Sequence, residues 1–220
     1  NNPTVNNREP ANESETERKN EVFAKKSGIN AAETSVLSSG AKYHTLLSVR
    51  FDRTIGGQRI HFASAMTLLG LTDGCNAESG NGYLDIVDFI IQSGCDVEAN
   101  LRELYRRVAF NICVGNSDDH FRNHGFLLTS RGWTLSPAYD MNPTTNEYQS
   151  ILITDSSSKA DLNHLWDAAE NYMIPHHDAE VIINEVVEAV STWKSIATKL
   201  GIAKREISLF EGRLGSKTLG

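Results

Sequence analysis

Three side chains, Asp118, Asn123 and Asp140, carry the hard oxygen donors that divalent cations and phosphoryl chemistry use. Asp118 and Asn123 stand five residues apart in the run Val114-Gly-Asn-Ser-Asp-Asp-His-Phe-Arg-Asn-His-Gly125, and Tyr139-Asp140 follows that run. Moving a phosphoryl group asks for a cation to neutralise phosphate charge and a base aligned with the attacking hydroxyl. Mg²⁺ keeps several waters, so one carboxylate and one amide oxygen suffice beside the phosphates. An aspartate at the base position accepts the hydroxyl proton late in transfer. The competing reading is a plain turn, because Gly115 to Asp119 consists of residues that favour turns through local hydrogen bonds. Spacing alone leaves both readings open.

Flanking elements must bring these groups together. Val97 to Val114 reads as a helix, with Leu101, Leu104, Tyr105, Val108 and Ile112 forming its core stripe. It delivers the chain to Gly115, and Arg102, Arg106 and Arg107 are expected off the stripe. Gly125 to Leu128 and Trp133 to Leu135 read as a hairpin whose two ends carry Asn123 and Asp140. Pro137 ends the second strand, and Pro143 stops any helix after Asp140.

Upstream, Asn1 to Asn20 is too polar to offset its ordering entropy and is expected to be a tail or linker. A first helix around Val22-Phe23-Ala24 ends with Lys25-Lys26 and stops at Gly28. Glu33 to Leu37 and Tyr43 to Phe51 read as strands, the second running into Arg50-Phe51-Asp52-Arg53, where the two arginines suggest a local ion pair. Ala63 to Leu71 is expected to be a short helix, and Asp85 to Gln92 a core helix. Tyr148 to Ile153 reads as a strand or loop. Asp161 to Tyr172 reads as an amphipathic helix, and Ala179 to Leu200 as a long one capped by Gly201 with Val181 in its buried stripe. Lys204 to Leu214 closes the fold.

Phe110-Asn111-Ile112, Gly115-Asn116-x-Asp118-x-His120-x-x-Asn123, Phe126-Leu127, Gly132-Trp133-x-Leu135-Ser136-Pro137-x-Tyr139-Asp140 and Asn142-Pro143 together resemble the C-terminal kinase core of the HipA family. These are bacterial toxin-type serine/threonine kinases. Arg50-Phe51-Asp52-Arg53 is similar to the family's interlobe hinge. The resemblance implies an α+β, mainly α, protein-kinase-like large lobe with a partial small lobe. Residues 1–20 would be a tail, 21–53 the small-lobe remnant and hinge, and 54–220 the helical large lobe. It implies Asp118 as base, Asn123 and Asp140 as Mg²⁺ ligands, Phe51 and Asp52 around the nucleoside of ATP, and His120 in support. Glu17 or Glu21 would correspond to the residue facing a nucleotide lysine, although a solvated helix face is the preferred reading of either. The implied partners are a protein substrate of the translation machinery, an aminoacyl-tRNA synthetase being one candidate, and an antitoxin.

The net charge of −7 argues against a broad phosphate-binding face, and no direct nucleic-acid binding is expected. Cys75, Cys95 and Cys113 form no C-x-x-C pair, which points away from a zinc site and towards reduced thiols in a cytoplasmic protein. No apolar run approaches a membrane span of ~18 residues. A kinase also needs a glycine-rich phosphate cover and a strand-borne lysine, and neither motif precedes the hinge. The chain is therefore expected to need a missing lobe, in frame or on a separate subunit, for full activity. Two other classes remain: an inactive nucleotide-binding or antitoxin-docking fragment, and a metal-dependent phosphoesterase using His120, His124 and Asp119.

Overall fold

The computed structural model describes residues 21, 24–39, 43–144, 146–199 and 218–219. The expected tail, Glu17, Val22-Phe23, the Gly201 cap and the closing segment Lys204 to Leu214 lie outside them. The architecture is α+β. Two strands, β1 (Thr34–Ser39) and β2 (Tyr43–Ser48), pair antiparallel with Thr34 opposite Ser48 and Ser39 opposite Tyr43. They form a two-stranded sheet of their own, a unit that is marginal in water without a packing surface. A helical turn at residues 24–26 precedes them and ends at Gly28, as the lysine-glycine sequence suggests. The intervening backbone is pinned to the segment before Asp140, because Ala31 bridges Ala138 in parallel, with Ala138 N–H to Asn30 O at 2.7 Å and Ala32 N–H to Ala138 O at 2.9 Å.

The core is built around the central helix. After β3 (Phe62–Ser64) and the single turn α1 (Ala65–Leu68) come α2 (Tyr83–Ser93) and α3 (Val97–Val114). The α3 bounds match the periodic stripe, and Leu101, Leu104, Tyr105, Val108 and Ile112 are all buried. Gly115 ends α3 in a left-handed conformation (φ 72°), its N–H returning to Asn111 O. That conformation is readily open to glycine, and it swings the chain out of the helix into the 116–124 loop. β4 (Gly125–Thr129) and β5 (Gly132–Leu135) follow as the expected hairpin.

Several expectations need correction. Ala63 and Ser64 belong to a strand rather than a helix, pairing with Phe126 and Gly125 to make a three-stranded sheet in the order β3-β4-β5. The helix expected from Ala63 to Leu71 shrinks to one turn, capped by the Ser64 hydroxyl. Of the strand and loop readings left open for Tyr148 to Ile153, the loop holds: isolated bridges of Tyr148 to Lys159 and Gly82 to Leu152 secure it, with Ile151 and Ile153 buried. The helix from Asp161 divides into α4 (Leu162–Asp167) and a 3₁₀ turn, Ala169–Tyr172. The long C-terminal helix begins earlier and breaks, giving α5 (His176–Ser191) and α6 (Trp193–Lys199). The Ser191 and Thr192 hydroxyls donate back to the Glu188 and Ala189 carbonyls, each at 2.7 Å. Such local bonding competes with helix continuation. Val181 faces solvent, 44 % exposed, while Ile182, Val186 and Val190 carry the buried stripe.

Arg107 is misplaced by the helical pattern as well. It is only 2 % exposed, donating from Nε to Glu103 at 2.8 Å and from a terminal nitrogen to the Ser136 carbonyl at 2.8 Å. Arg102 and Arg106 do lie nearer the surface, paired with Asp178 and Glu185.

Candidate active site

Asp118 sits on the loop that Gly115 releases and its side chain faces solvent. Asn123 lies at the end of the same loop, largely buried, with its N–H donating to His120 O at 2.8 Å. The loop is braced from the following segment, since Ser117 N–H donates to Thr144 Oγ1 at 3.1 Å and Ser150 Oγ donates to Ser117 O at 2.8 Å. Asp140 follows β5 by five residues. Its φ of 56° is an uncommon left-handed conformation for a residue with a side chain. Strain of this kind persists where surrounding structure enforces it.

The two candidate ligand segments are tied directly. The hydroxyl of Tyr139, next to Asp140, donates to the carbonyl of Arg122, next to Asn123, at 2.7 Å. The Tyr139 ring also stacks on Phe51, with centroids 5.9 Å apart and planes 22° from parallel, and Phe51 in turn meets Phe62 at 5.8 Å. Phe51, Phe62 and Tyr139 thus join residues 50–53 and the Asp140 loop in one aromatic cluster. A cleft beside it is lined by Glu21, Thr34 and Ser48 on the hairpin side and by Ala138, Tyr139 and Asp140 on the other.

Electrostatics mark the Asp140 end of this cleft. Desolvation by its surroundings raises the Asp140 pKa, and the like charges of Asp118 and Asp119 raise it further, while His120 acts in the opposite sense. Carboxylates that repel one another in a partly desolvated cleft are relieved by a cation. The donor set of Asp140 and Asn123 is all oxygen and fits Mg²⁺.

Asp52 is already engaged. Arg50 binds it through two nitrogens at 2.8 and 2.6 Å, and Arg53 adds a contact to the same carboxylate. The hydrogen bond from Arg50 is the largest influence holding its carboxyl below the ordinary value. The local ion-pair reading therefore describes its geometry. His120 is half-buried, and its Nδ1 has no partner among the described residues.

Glu21 is not on a solvated face. Its carboxylate accepts from Thr34 N at 3.0 Å, from the Thr34 hydroxyl and from Lys25 Nζ at 2.6 Å, and it shares the cleft with Asp140. The metal-hydrolase arrangement loses its ligands: Asp119 and His124 are both buried and bonded to each other at 2.9 Å. Among the described residues no three His, Cys, Asp or Glu side chains form a group able to hold a metal.

Sequence reasoning missed the buried polar layer behind the loop: Asp119, Tyr83, Asn111 and Arg107. The available signal was Asn111, an amide inside an otherwise apolar helical stretch.

Comparison with known sequences and structures places this site in a family. The HipA-like C-terminal domain matches residues 8–193. The chain belongs to that family. Relatives include a putative kinase of Haemophilus influenzae, 27 % identical over 142 residues, covering 59 % of this chain and 41 % of the relative. Another is the serine/threonine-protein kinase toxin HipA of Shewanella oneidensis, 28 % identical over 136 residues, covering 54 % and 31 %. The matches thus span less than half the length of either relative. Among solved structures, HipA of Shewanella oneidensis, in a complex with HipB and its operator DNA, superposes with a TM-score of 0.73 at 18 % identity over 91 % of this chain and 53 % of that one. The Helicobacter pylori proinflammatory kinase CtkA gives a TM-score of 0.51 at 12 % identity over 89 % and 88 %. At these identities the structural likeness establishes a kinase-like fold. Among the described residues, no helix is long and apolar enough to cross a membrane.

Proposed function

We propose that this chain is the core of a HipA-type protein kinase that binds Mg²⁺-ATP and phosphorylates a serine or threonine of a protein substrate. The observation that carries the reading is the Tyr139–Arg122 bond, which joins the two candidate ligand segments beside a carboxylate whose pKa is raised first by desolvation and then by Asp118 and Asp119. Asp140 and Asn123 would hold Mg²⁺, which when bound neutralises phosphate charge. Asp118 orients the attacking hydroxyl and takes its proton on a carboxylate oxygen. The hinge backbone at Phe51 meets the adenine, and Asp52 shares its charge between Arg50, Arg53 and the ribose hydroxyls. His120 supports the loop and favours the ionised state of Asp140.

Residues 21–53 then form a small-lobe remnant with hinge, and residues 54–220 the large lobe. The two-stranded β1–β2 sheet favours an incomplete small lobe, completed in frame or by a separate subunit. By analogy with the complex of HipA, HipB and operator DNA, the proposed partner is an antitoxin; the net charge of −7 is the support for leaving DNA contacts to that partner.

The test is calorimetric titration of the purified chain with ATP, in Mg²⁺ and in EDTA. Weak Mg²⁺-dependent binding that disappears in Asp140→Ala is expected, with slow or no phosphate transfer. Binding equal with and without Mg²⁺ would leave a docking fragment. Robust autophosphorylation would show that no further lobe is needed.

A further inference from the structure

Asp119 is the only carboxylic acid in the buried interior among the described residues, at 2 % exposure. A single oxygen of its side chain, Oδ2, receives three donors: the Tyr83 hydroxyl at 2.6 Å, the Asn111 amide at 2.8 Å and His124 Nε2 at 2.9 Å. Tyr83 opens α2, Asn111 belongs to α3, and His124 directly follows Asn123. Asp119 itself directly follows Asp118. The Asn116 amide nitrogen donates to Asn111 Oδ1 at 3.2 Å, so the start of the loop reaches the same cluster.

One oxygen atom therefore ties the neighbour of the candidate base and the neighbour of the candidate metal ligand to two core helices. Burial by itself raises the Asp119 pKa, but the charge and hydrogen bond of His124 and the Tyr83 hydroxyl outweigh it and hold the carboxyl below the ordinary value. An ionised carboxylate only accepts, so His124 presents its proton on Nε2. A loop built from turn-forming residues has many other conformations available, and buried bonds to rigid elements remove them.

We propose that Asp119 is a positioning residue, whose carboxylate fixes the relative placement of Asp118 and Asn123 by clamping His124, Tyr83 and Asn111, and on which Mg²⁺-nucleotide binding depends. The proposal rests on the kinase reading above. A side chain that merely stabilised the fold would lower thermal stability without any particular effect on metal-dependent binding.

The experiment compares the whole chain with D119N, D119A, Y83F and the remote core variant I183A. Each is titrated with ATP in Mg²⁺ and in EDTA, alongside thermal melting and amide hydrogen exchange across residues 115–124. D119A is expected to weaken Mg²⁺-ATP binding about tenfold or more, with binding in EDTA unchanged. D119N keeps an oxygen for the Tyr83 and Asn111 donors and recovers part of that loss. Y83F removes one donor and loses severalfold. I183A melts earlier but keeps its Mg²⁺ dependence. If D119A does not fold, D119N and Y83F carry the comparison. Folded Asp119 variants that bind Mg²⁺-ATP as the wild type does, or an I183A loss of equal size, overturn the proposal. If the wild type shows no Mg²⁺-dependent binding, the kinase reading fails, and exchange decides the positioning claim separately. Faster exchange in the loop of D119N and Y83F but not of I183A upholds it, and unchanged exchange sinks it.

Discussion

The Tyr139 hydroxyl donates to the Arg122 carbonyl at 2.7 Å, so the residue before one candidate Mg²⁺ ligand is bonded to the residue before the other. A backbone carbonyl reached by a side chain from another segment is an economical tether, because it fixes spacing without using either ligand. Tyr139→Phe keeps the stack on Phe51 and removes only this bond. A loss of about 1 kcal/mol of stability is expected, the usual net worth of such a bond. Mg²⁺-dependent ATP binding should weaken several-fold. Chemical denaturation and calorimetry check the two effects.

Asp140 supplies the pH dependence. Its folded-state pKa lies above the ordinary carboxylate value, first through desolvation and then through Asp118 and Asp119. Ionising it therefore costs the metal-free fold stability, and that cost disappears as pH falls through the raised value. Asp140→Asn should raise the melting temperature of the metal-free chain at neutral pH while abolishing its Mg²⁺ dependence. The gain over wild type should shrink in acid. Metal binding by the wild type should weaken as pH drops through a range above that of an ordinary aspartate.

Gly125 sits where the loop enters β4, with the Phe62 ring against its backbone and Ser136 Oγ 2.7 Å from where a Cβ would stand. Gly125→Ala must displace the ring or the strand. A destabilisation of about 1–3 kcal/mol is expected from overpacking. Pairing it with Phe62→Ala should recover part of that loss, measured as a double-mutant cycle by urea unfolding.

Arg107 holds the segment that leads from β5 to Asp140 by its bond to the Ser136 carbonyl, while its partner Glu103 also accepts from Asn30 N at 3.2 Å. Removing the guanidinium leaves Glu103 and a buried carbonyl short of a donor. Arg107→Ala should cost about 3 kcal/mol, the lower end for breaking a buried pair because Glu103 keeps some solvent contact. Arg107→Lys should restore little, since one ammonium does not replace a planar fork serving two acceptors. Thermal melting separates the two variants.

What the sequence made legible followed from local periodicity and from oxygen donors at telling intervals. The α3 helix declared itself because its stripe recurs from Leu101 to Ile112, about three turns, and the helix ends at a glycine. The β4–β5 hairpin did so through its turn residues. β3 was hidden because three residues, Phe62–Ser64, are too few to show alternation, and their pairing lies with Gly125–Leu127, some 60 residues away. Asp119 and Arg107 were misread for a related reason. Charged residues are ordinarily assigned to the surface, and here the donors and acceptors that admit them to the core come from Tyr83, Asn111 and Ser136. The break at Thr192 was equally invisible to a period count, because hydroxyl back-bonding leaves the apolar stripe intact. The nearness of the Asn123 and Asp140 segments was expected from motif spacing, but the Tyr139 hydroxyl bond to Arg122 and the stack on Phe51 had no signature of their own.

The bridge between Ala31 and Ala138 couples the two halves of the molecule through main-chain atoms. Side-chain links can be repacked, whereas this one is a pair of peptide hydrogen bonds only two residues ahead of Asp140. Moving residues 30–32 away from Ala138 would therefore break main-chain hydrogen bonds, and no exchange of side chains at either alanine removes that connection.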